Sequence, residues 1–109
     1  MPHYLLQVAY NEEAWQALIK NPVDRIEAVR PALENLGGEI REGWFAFGDY
    51  DIVCIAEMPD NISAAAIAIA LAAGGACKAV KTTPLMSSAE AVEALKKASR
   101  AGYRAATAG

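Results

Sequence analysis

Two strand-like segments meet at a turn in the middle of this chain, and this arrangement limits the folds available to it. Residues 39–47 alternate well enough between two sets of side chains to form a strand, and residues 51–58 are almost continuously apolar. Between them, the segment from Gly48 to Asp51 has the composition of a tight turn, and we expect Gly48 to adopt a positive φ. The pattern predicts an antiparallel hairpin whose second strand is buried on both faces.

The segments on either side of the hairpin predict further strands and helices. Strands are expected at residues 3–10 and 76–84, and helices at residues 12–36, 61–73 and 88–101. The resulting order is β-α-β-β-α-β-α. It predicts a ferredoxin-like α+β fold with one antiparallel sheet, both crossover helices on one face of that sheet, and an extra C-terminal helix.

Further details complete the predicted organisation. Asn21-Pro22 is expected to restart the first helix, because proline is favoured at the first helical position. A chain of 109 residues is one domain by ordinary size scaling, and we expect that domain to span residues 1–102. Residues 103–109 are expected to form a frayed C-terminal tail.

Composition and charge argue against several classes of protein. The net charge is −3 and the lysines and arginines are scattered, so no basic stripe indicates a nucleic-acid partner. The longest apolar run, residues 62–77, is shorter than the roughly 20 residues that a membrane span needs. Because no signal peptide is visible, we expect a cytoplasmic protein. One histidine and two separated cysteines predict neither a metal site nor a bound cofactor.

Helices that cover one face of a sheet leave its other face open. The first strand is expected to offer Leu5 on the open face, and the second strand either Trp44 or the pair Phe45 and Phe47. The second crossover helix has no polar residue between Ala64 and Ala73, and a helix that is apolar on all sides is usually buried on all sides. A large apolar face usually marks an interface. We therefore expect a homo-oligomer, most simply a dimer, through the open sheet face.

Three side chains are candidates for catalysis or ligand contact. An unperturbed histidine titrates near pH 6.5, in the range useful for a general base, and the strand face of His3 would aim it into a subunit interface. A solvated or hydrogen-bonded strand end is the alternative for His3. Asp51 is the second catalytic candidate, and with Tyr50 it could line a pocket mouth at the dimer contact. Alternatively, the whole turn only determines the strand register.

Aromatic residues are the remaining candidates for a ligand pocket. Trp15, Trp44, Phe45 and Phe47 could wall such a pocket, and we take Trp44 and Phe47 together with Tyr50 as the candidate ligand contacts. Packing in the core or at an interface is the alternative for all of these rings.

The two cysteines are expected on different strands of the sheet. In a ferredoxin-like topology the first strand separates the third, with Cys54, from the fourth, with Cys77. The two sulfurs should then lie about two strand spacings, ~10 Å, apart, which is too far for a disulfide. We expect both cysteines to behave as small buried apolar residues.

Four segments of the chain together resemble one known family. The segments Met1–Tyr4, Leu36–Gly38, Phe47–Val53 and Glu57–Asp60 are similar to the corresponding parts of the GYD domain family, which is named after the Gly, Tyr and Asp of the hairpin. The resemblance covers residues 2–95. It implies a fold similar to the dimeric α/β barrel proteins, and it implies no particular reaction.

Two classes of function are compatible with these patterns. The first is a small oligomeric binding or assembly module that holds a small apolar metabolite between the sheet and the helices. The second is a cofactor-free enzyme, similar to monooxygenases of the dimeric α/β barrel type, that acts on a small organic molecule. An enclosed pocket into which His3 or Asp51 points would favour the enzyme.

Overall fold

The computed structural model describes residues 1–108 and contains one open sheet of four antiparallel strands. The order of the strands across the sheet is β2-β3-β1-β4. This places the first and third strands at the centre, as the ferredoxin-like prediction requires, and the α+β fold class is confirmed. The strands are β1 (His3–Tyr10), β2 (Glu39–Phe45), β3 (Ile52–Glu57) and β4 (Cys77–Leu85).

Four α-helices accompany the sheet, and two of them lie in the first crossover. They are α1 (Glu12–Lys20), α2 (Arg25–Asn35), α3 (Asn61–Ala73) and α4 (Ser88–Ala98), and a short 3-10 helix follows at Ala106–Ala108. None of the helices in the described part of the chain is both long and apolar enough to cross a bilayer.

The boundary between α1 and α2 differs from the prediction. Asn21 is the C-cap of α1, and Pro22 lies in the connection rather than in the first turn of a helix. Asp24 is the N-cap of α2, since its Oδ1 accepts hydrogen bonds from the N–H groups of Ile26 and Glu27 at 3.0 and 3.2 Å. The carboxylate accepts from two N–H groups that would otherwise lack a partner, whereas a proline at the first helical position only removes one such N–H group. The aspartate therefore determines the start of the helix.

The end of α2 is as expected and uses a glycine for a specific reason. Gly37 has a φ of 82°, in the left-handed region where a side chain is strained. The N–H of Gly38 donates to the carbonyl of Leu33 at 2.9 Å, and the N–H of Gly37 donates to that of Glu34 at 3.0 Å. These two bonds form a Schellman motif, which turns the chain from α2 into β2.

Alternation along β1 divides its side chains between the two faces of the sheet. Tyr4, Leu6 and Val8 are buried beneath the helices, whereas Leu5 and Gln7 are only half-buried. The core therefore lies between the sheet and the helices, where the following residues form one cluster: Tyr4, Leu6, Val8, Tyr10, Leu33, Ile40, Ile52, Cys54, Ala56, Met58, Ala64 and Ile67.

The connection between β2 and β3 is longer than predicted. Strand β2 ends at Phe45 rather than at residue 47, so residues 46–51 join the two strands. The prediction of a positive φ at Gly48 is wrong, because the positive values occur at Gly37, Gly75 and Gly102. Six residues can reverse the chain direction with ordinary backbone angles, so no left-handed residue is needed here.

Asp51 attaches this connection to the end of β1. Its N–H donates to the carbonyl of Val8 at 2.8 Å, and its carboxylate Oδ2 accepts from the N–H of Tyr10 at 2.9 Å. Its own carbonyl accepts from the N–H of Ala46 at 2.7 Å. The partner of the carboxylate is the last residue of β1, beside a shift of register between Ala9 and Tyr10 in the pairing of β1 with β4.

The C-terminal helix and part of α3 are poorly covered. On α4, Val92 and Leu95 are exposed, and on α3 Ile62 and Ile69 are exposed. The radius of gyration is 17.6 Å. A compact chain of this length would have a radius of gyration of about 13 Å, so the isolated chain is elongated.

The Asp51 contact predicts a specific pattern of stabilities. Asp51→Ala is expected to lower the free energy of unfolding by about 1–3 kcal/mol, since it leaves the buried N–H of Tyr10 without an acceptor. Asp51→Asn keeps a side-chain oxygen that can accept this hydrogen bond, and it should lower the free energy of unfolding less than Asp51→Ala does. Asp49→Ala, on the same connection but exposed, is the control. Urea unfolding followed by circular dichroism measures all three, and equal losses for Asp49→Ala and Asp51→Ala would contradict the assignment.

Candidate functional site

A cavity of about 160 Å³ lies between the helix-covered face of the sheet and the helices α2 and α3. Its walls are largely apolar, and half of the lining residues belong to the strands. The lining residues are Leu6, Val8, Tyr10, Arg25, Ile26, Val29, Ile40, Ile52, Cys54, Ala70, Leu71, Gly74, Ala76 and Cys77. We call this space the sheet–helix cavity.

Local features of the sequence explain why α2 approaches the sheet here. Gly43 of β2 has no side chain, and a Cβ at this position would come within 2.9 Å of Cγ2 of Ile26. The glycine therefore lets α2 pack close to β2. Ile26 and Val29 turn toward the core from successive turns of α2, and they bring the first residue of the helix, Arg25, to the edge of the same cavity.

A second cavity of about 400 Å³ adjoins the first near the connection between α1 and α2. Both cavities share Arg25, Ile26 and Ile52 in their walls. Rings from α1 and β2, Trp15 and Phe45, form the wall of the second cavity. We call it the aromatic cavity.

The aromatic side chains at this end of the molecule form a chain of edge-to-face contacts. The rings of Tyr10 and Trp15 have their centroids 5.6 Å apart at 85°, and those of Trp15 and Phe45 are 6.0 Å apart at 84°. Such arrangements are the preferred geometry of aromatic pairs. Because Asp51 holds the backbone of Tyr10, the position of this whole aromatic wall depends on the connection between β2 and β3.

Arg25 is the one cationic side chain in the walls of the two cavities. It is half-buried, and among the described residues it forms no ion pair. The neighbouring carboxylate, Asp24, instead accepts the N–H groups of α2. The guanidinium is therefore available to an anion at the junction of the two cavities.

The candidate ligand contacts predicted from the sequence lie elsewhere. Trp44 is 69% exposed and lies on the open sheet face, across from Val53, and Phe47 is 94% exposed in the β2–β3 connection. Tyr50 is half-buried in the same connection. None of these three rings is in the wall of the sheet–helix cavity or the aromatic cavity. Of the aromatic residues that we considered, only Trp15 and Phe45 come together.

The two catalytic candidates are also separated from the sheet–helix cavity. Asp51 is buried, and its carboxylate is engaged by the N–H of Tyr10. His3 lies at the start of β1, where its Nε2 is 2.9 Å from Oε1 of Glu57. It borders a broad groove of about 670 Å³ beside the start of α4, which also contains Glu90. The structure thus places the imidazole of His3 in contact with the carboxylate of Glu57 at the surface.

Arg25 and Tyr10 were not singled out from the sequence. Tyr10 is a buried core residue of β1, but nothing in the sequence pattern showed that the core contains a space beside it. For Arg25 a signal existed, because Arg25 and Val29 are four residues apart and so share one face of a helix. A cation on the face that carries the apolar residues is a candidate for a buried role.

Comparison with known families identifies the chain. The model of the GYD domain matches residues 4–95. This chain belongs to the GYD domain family. The match spans all of the sheet except His3, the helices α1 to α3 and most of α4, and it confirms the resemblance found in the sequence. No curated protein and no solved structure matched the chain.

The two cysteines of this GYD domain are free thiols in the wall of the sheet–helix cavity. They lie on β3 and β4 with β1 between them, as predicted. Burial raises the pKa of Cys54 from 9.0 to about 11. Burial also raises the pKa of Cys77, but the positive charge of Arg25 opposes this shift. The cavity therefore stabilises the neutral thiol and is a poor environment for a thiolate nucleophile.

The raised pKa of Cys54 predicts how its reactivity and the stability of the fold depend on pH. In the single-cysteine variant Cys77→Ala, Cys54 should react with a disulfide reagent at pH 8 at least tenfold more slowly than after unfolding in urea. The Cys54 thiol holds its proton more tightly in the folded than in the unfolded state. The stability that the protonated thiol contributes is therefore complete below pH 9.0 and is lost as the pH rises toward about 11. The reciprocal variant Cys54→Ala reports on the less buried Cys77, which should react faster. Equal rates for folded and unfolded Cys54 would contradict the prediction.

Proposed function

We propose that this GYD domain is a binding module for a small apolar molecule, which occupies the sheet–helix cavity. The observation that carries the proposal is the cavity itself, a space of about 160 Å³ with largely apolar walls inside the core. Protein interiors are normally close-packed, and an apolar space of ~150 Å³ is sufficient for a molecule the size of benzene. A ligand of this size would replace the missing packing.

Binding is favoured over cofactor-free catalysis by the placement of the reactive groups. Neither His3 nor Asp51 is in the wall of the cavity, and the thiol of Cys54 has a raised pKa. A general base must come within hydrogen-bond distance of the proton that it removes. The walls of the sheet–helix cavity supply shape and apolar contact rather than a base of this kind.

A pair of substitutions at one position tests the binding role. Cys54→Leu fills part of the cavity and is expected to abolish binding of toluene, a neutral probe of the right size, while leaving the free energy of unfolding equal or higher. Cys54→Ala enlarges the space at the same position and should retain binding. Changes of amide shifts in NMR titrations measure both variants. Undiminished binding by Cys54→Leu, or none by the unaltered protein at any accessible toluene concentration, would overturn the proposal.

We further propose that two copies of the chain associate through the open sheet face. Leu5, Val53 and Ile55 form a half-buried apolar strip along its centre, and Trp44 extends the strip onto β2. Interfaces of homodimers are typically more apolar than the remaining surface. A second copy of the same chain, packed on this strip, would be sufficient to bury it.

The charges at the edges of the open face fit such a dimer. Strand β2 carries Glu42 on this face, opposite Ile55, and β4 at the other edge carries Lys81, opposite Gln7. A two-fold axis parallel to the strands places β2 of one copy over β4 of the other, so that the acidic and basic edges meet twice. The pattern supports association of identical copies.

The dimer is tested by placing a charge at the centre of the open face. The unaltered protein is expected to have twice its chain mass of 11.5 kDa in light scattering at micromolar concentration. Ile55→Glu should shift the mass to that of a monomer, because it buries an unpaired charge in the interface. Ile19→Glu makes the same change on α1 at an exposed site and should remain dimeric. A monomeric mass for the unaltered protein would refute the proposed assembly.

A further inference from the structure

The position of Arg25 carries information about the chemistry of the ligand. Arg25 lines both the sheet–helix cavity and the aromatic cavity, and the two walls also share Ile26 and Ile52. Apart from Arg25 and Asp24, the walls of both cavities contain no charged side chain. A ligand in the sheet–helix cavity therefore meets one positive charge and no negative charge in its walls, whereas the aromatic cavity is also lined by Asp24.

The surroundings of Arg25 make it a receptor for an anion. It is half-buried beside aliphatic groups, where the attraction between opposite charges is screened less than in bulk water. Among the described residues no carboxylate pairs with it, and the hydrogen-bonding capacity of Asp24 toward its helix is already used by Ile26 and Glu27. The positive charge of Arg25 also lowers the pKa of Cys77, another lining residue of the sheet–helix cavity, although burial raises that pKa by more.

The type and number of charges indicate a carboxylate rather than a phosphate. A guanidinium presents two parallel N–H donors that match the two oxygens of a carboxylate. Recognition of a dianionic phosphate commonly involves several cations or a row of free backbone N–H groups. Here one arginine is present, and the first N–H groups of α2 are occupied by Asp24.

We propose that the ligand of this domain is a small organic carboxylate, with an apolar body about the size of one ring in the sheet–helix cavity and its carboxylate on Arg25. This inference rests on the proposed binding function and adds the chemical class of the ligand. The aromatic cavity lies on the other side of Arg25, so a substituent on the carboxylate side would extend toward Trp15 and Phe45.

The test compares benzoate with benzamide, a neutral molecule of nearly the same shape, in NMR titrations of the full chain. The unaltered protein should bind benzoate at least tenfold more tightly than benzamide, as a charge-assisted bidentate contact predicts. Arg25→Gln removes the charge and should reduce benzoate affinity to that of benzamide, while benzamide affinity stays the same. Arg25→Lys keeps the positive charge but loses the two parallel N–H donors. Its benzoate affinity should lie between that of the unaltered protein and that of Arg25→Gln.

The outcomes separate the two proposals. If benzoate and benzamide bind equally and Cys54→Leu removes both, the cavity binds ligands but the assignment of a carboxylate is wrong. If phenyl phosphate binds more tightly than benzoate, the class of anion is wrong. If toluene binds but neither benzoate nor benzamide does, this inference fails and the binding function stands, whereas if none of the three binds, both fail. Arg25→Gln must unfold at the same temperature as the unaltered protein, and a lower value would mean that Arg25 has a structural role instead.

Discussion

The buried carboxylate of Asp51 is the contact on which the arrangement of this domain depends. One residue joins the connection between the edge strand β2 and the central strand β3 to the end of the other central strand, β1. A buried N–H without an acceptor is costly, so the N–H of Tyr10 and the carboxylate of Asp51 require each other. Together they determine where Tyr10 lies, and Tyr10 in turn supports the ring of Trp15.

The cavity beside Tyr10 follows from the composition of the helix that covers the sheet. Helix α3 consists largely of alanine, and its last turns offer Ala70 and Gly74 to a sheet face that carries larger residues. Small side chains allow the helix to come close to the sheet. They cannot fill all of the space between a straight helix and a twisted sheet, because close packing needs side chains of matching size on both surfaces. The same helix leaves Ile62 and Ile69 exposed, so its apolar surface exceeds what one copy of the chain covers.

Much of the fold could be predicted from local patterns. The strands β1 and β3 and the end of α2 before Gly37 depend on neighbouring residues and were placed correctly. The hairpin connection was not, since its length depends on where Asp51 finds a partner 41 residues away. The predicted ligand contacts Trp44, Phe47 and Tyr50 lie outside the cavities for a similar reason: aromatic residues mark ligand sites and surfaces equally, and periodicity does not distinguish them.

The sequence by itself determined the family and the order of the four strands, because these properties follow from local spacing and motifs. Only the tertiary structure decided that the core encloses a space, that Arg25 stands at its edge, and that Asp51 secures β1 rather than a ligand. Each of these depends on side chains from distant segments that come together in three dimensions, and a cavity is the space that those side chains leave unfilled. For that reason no single segment of the sequence contains it.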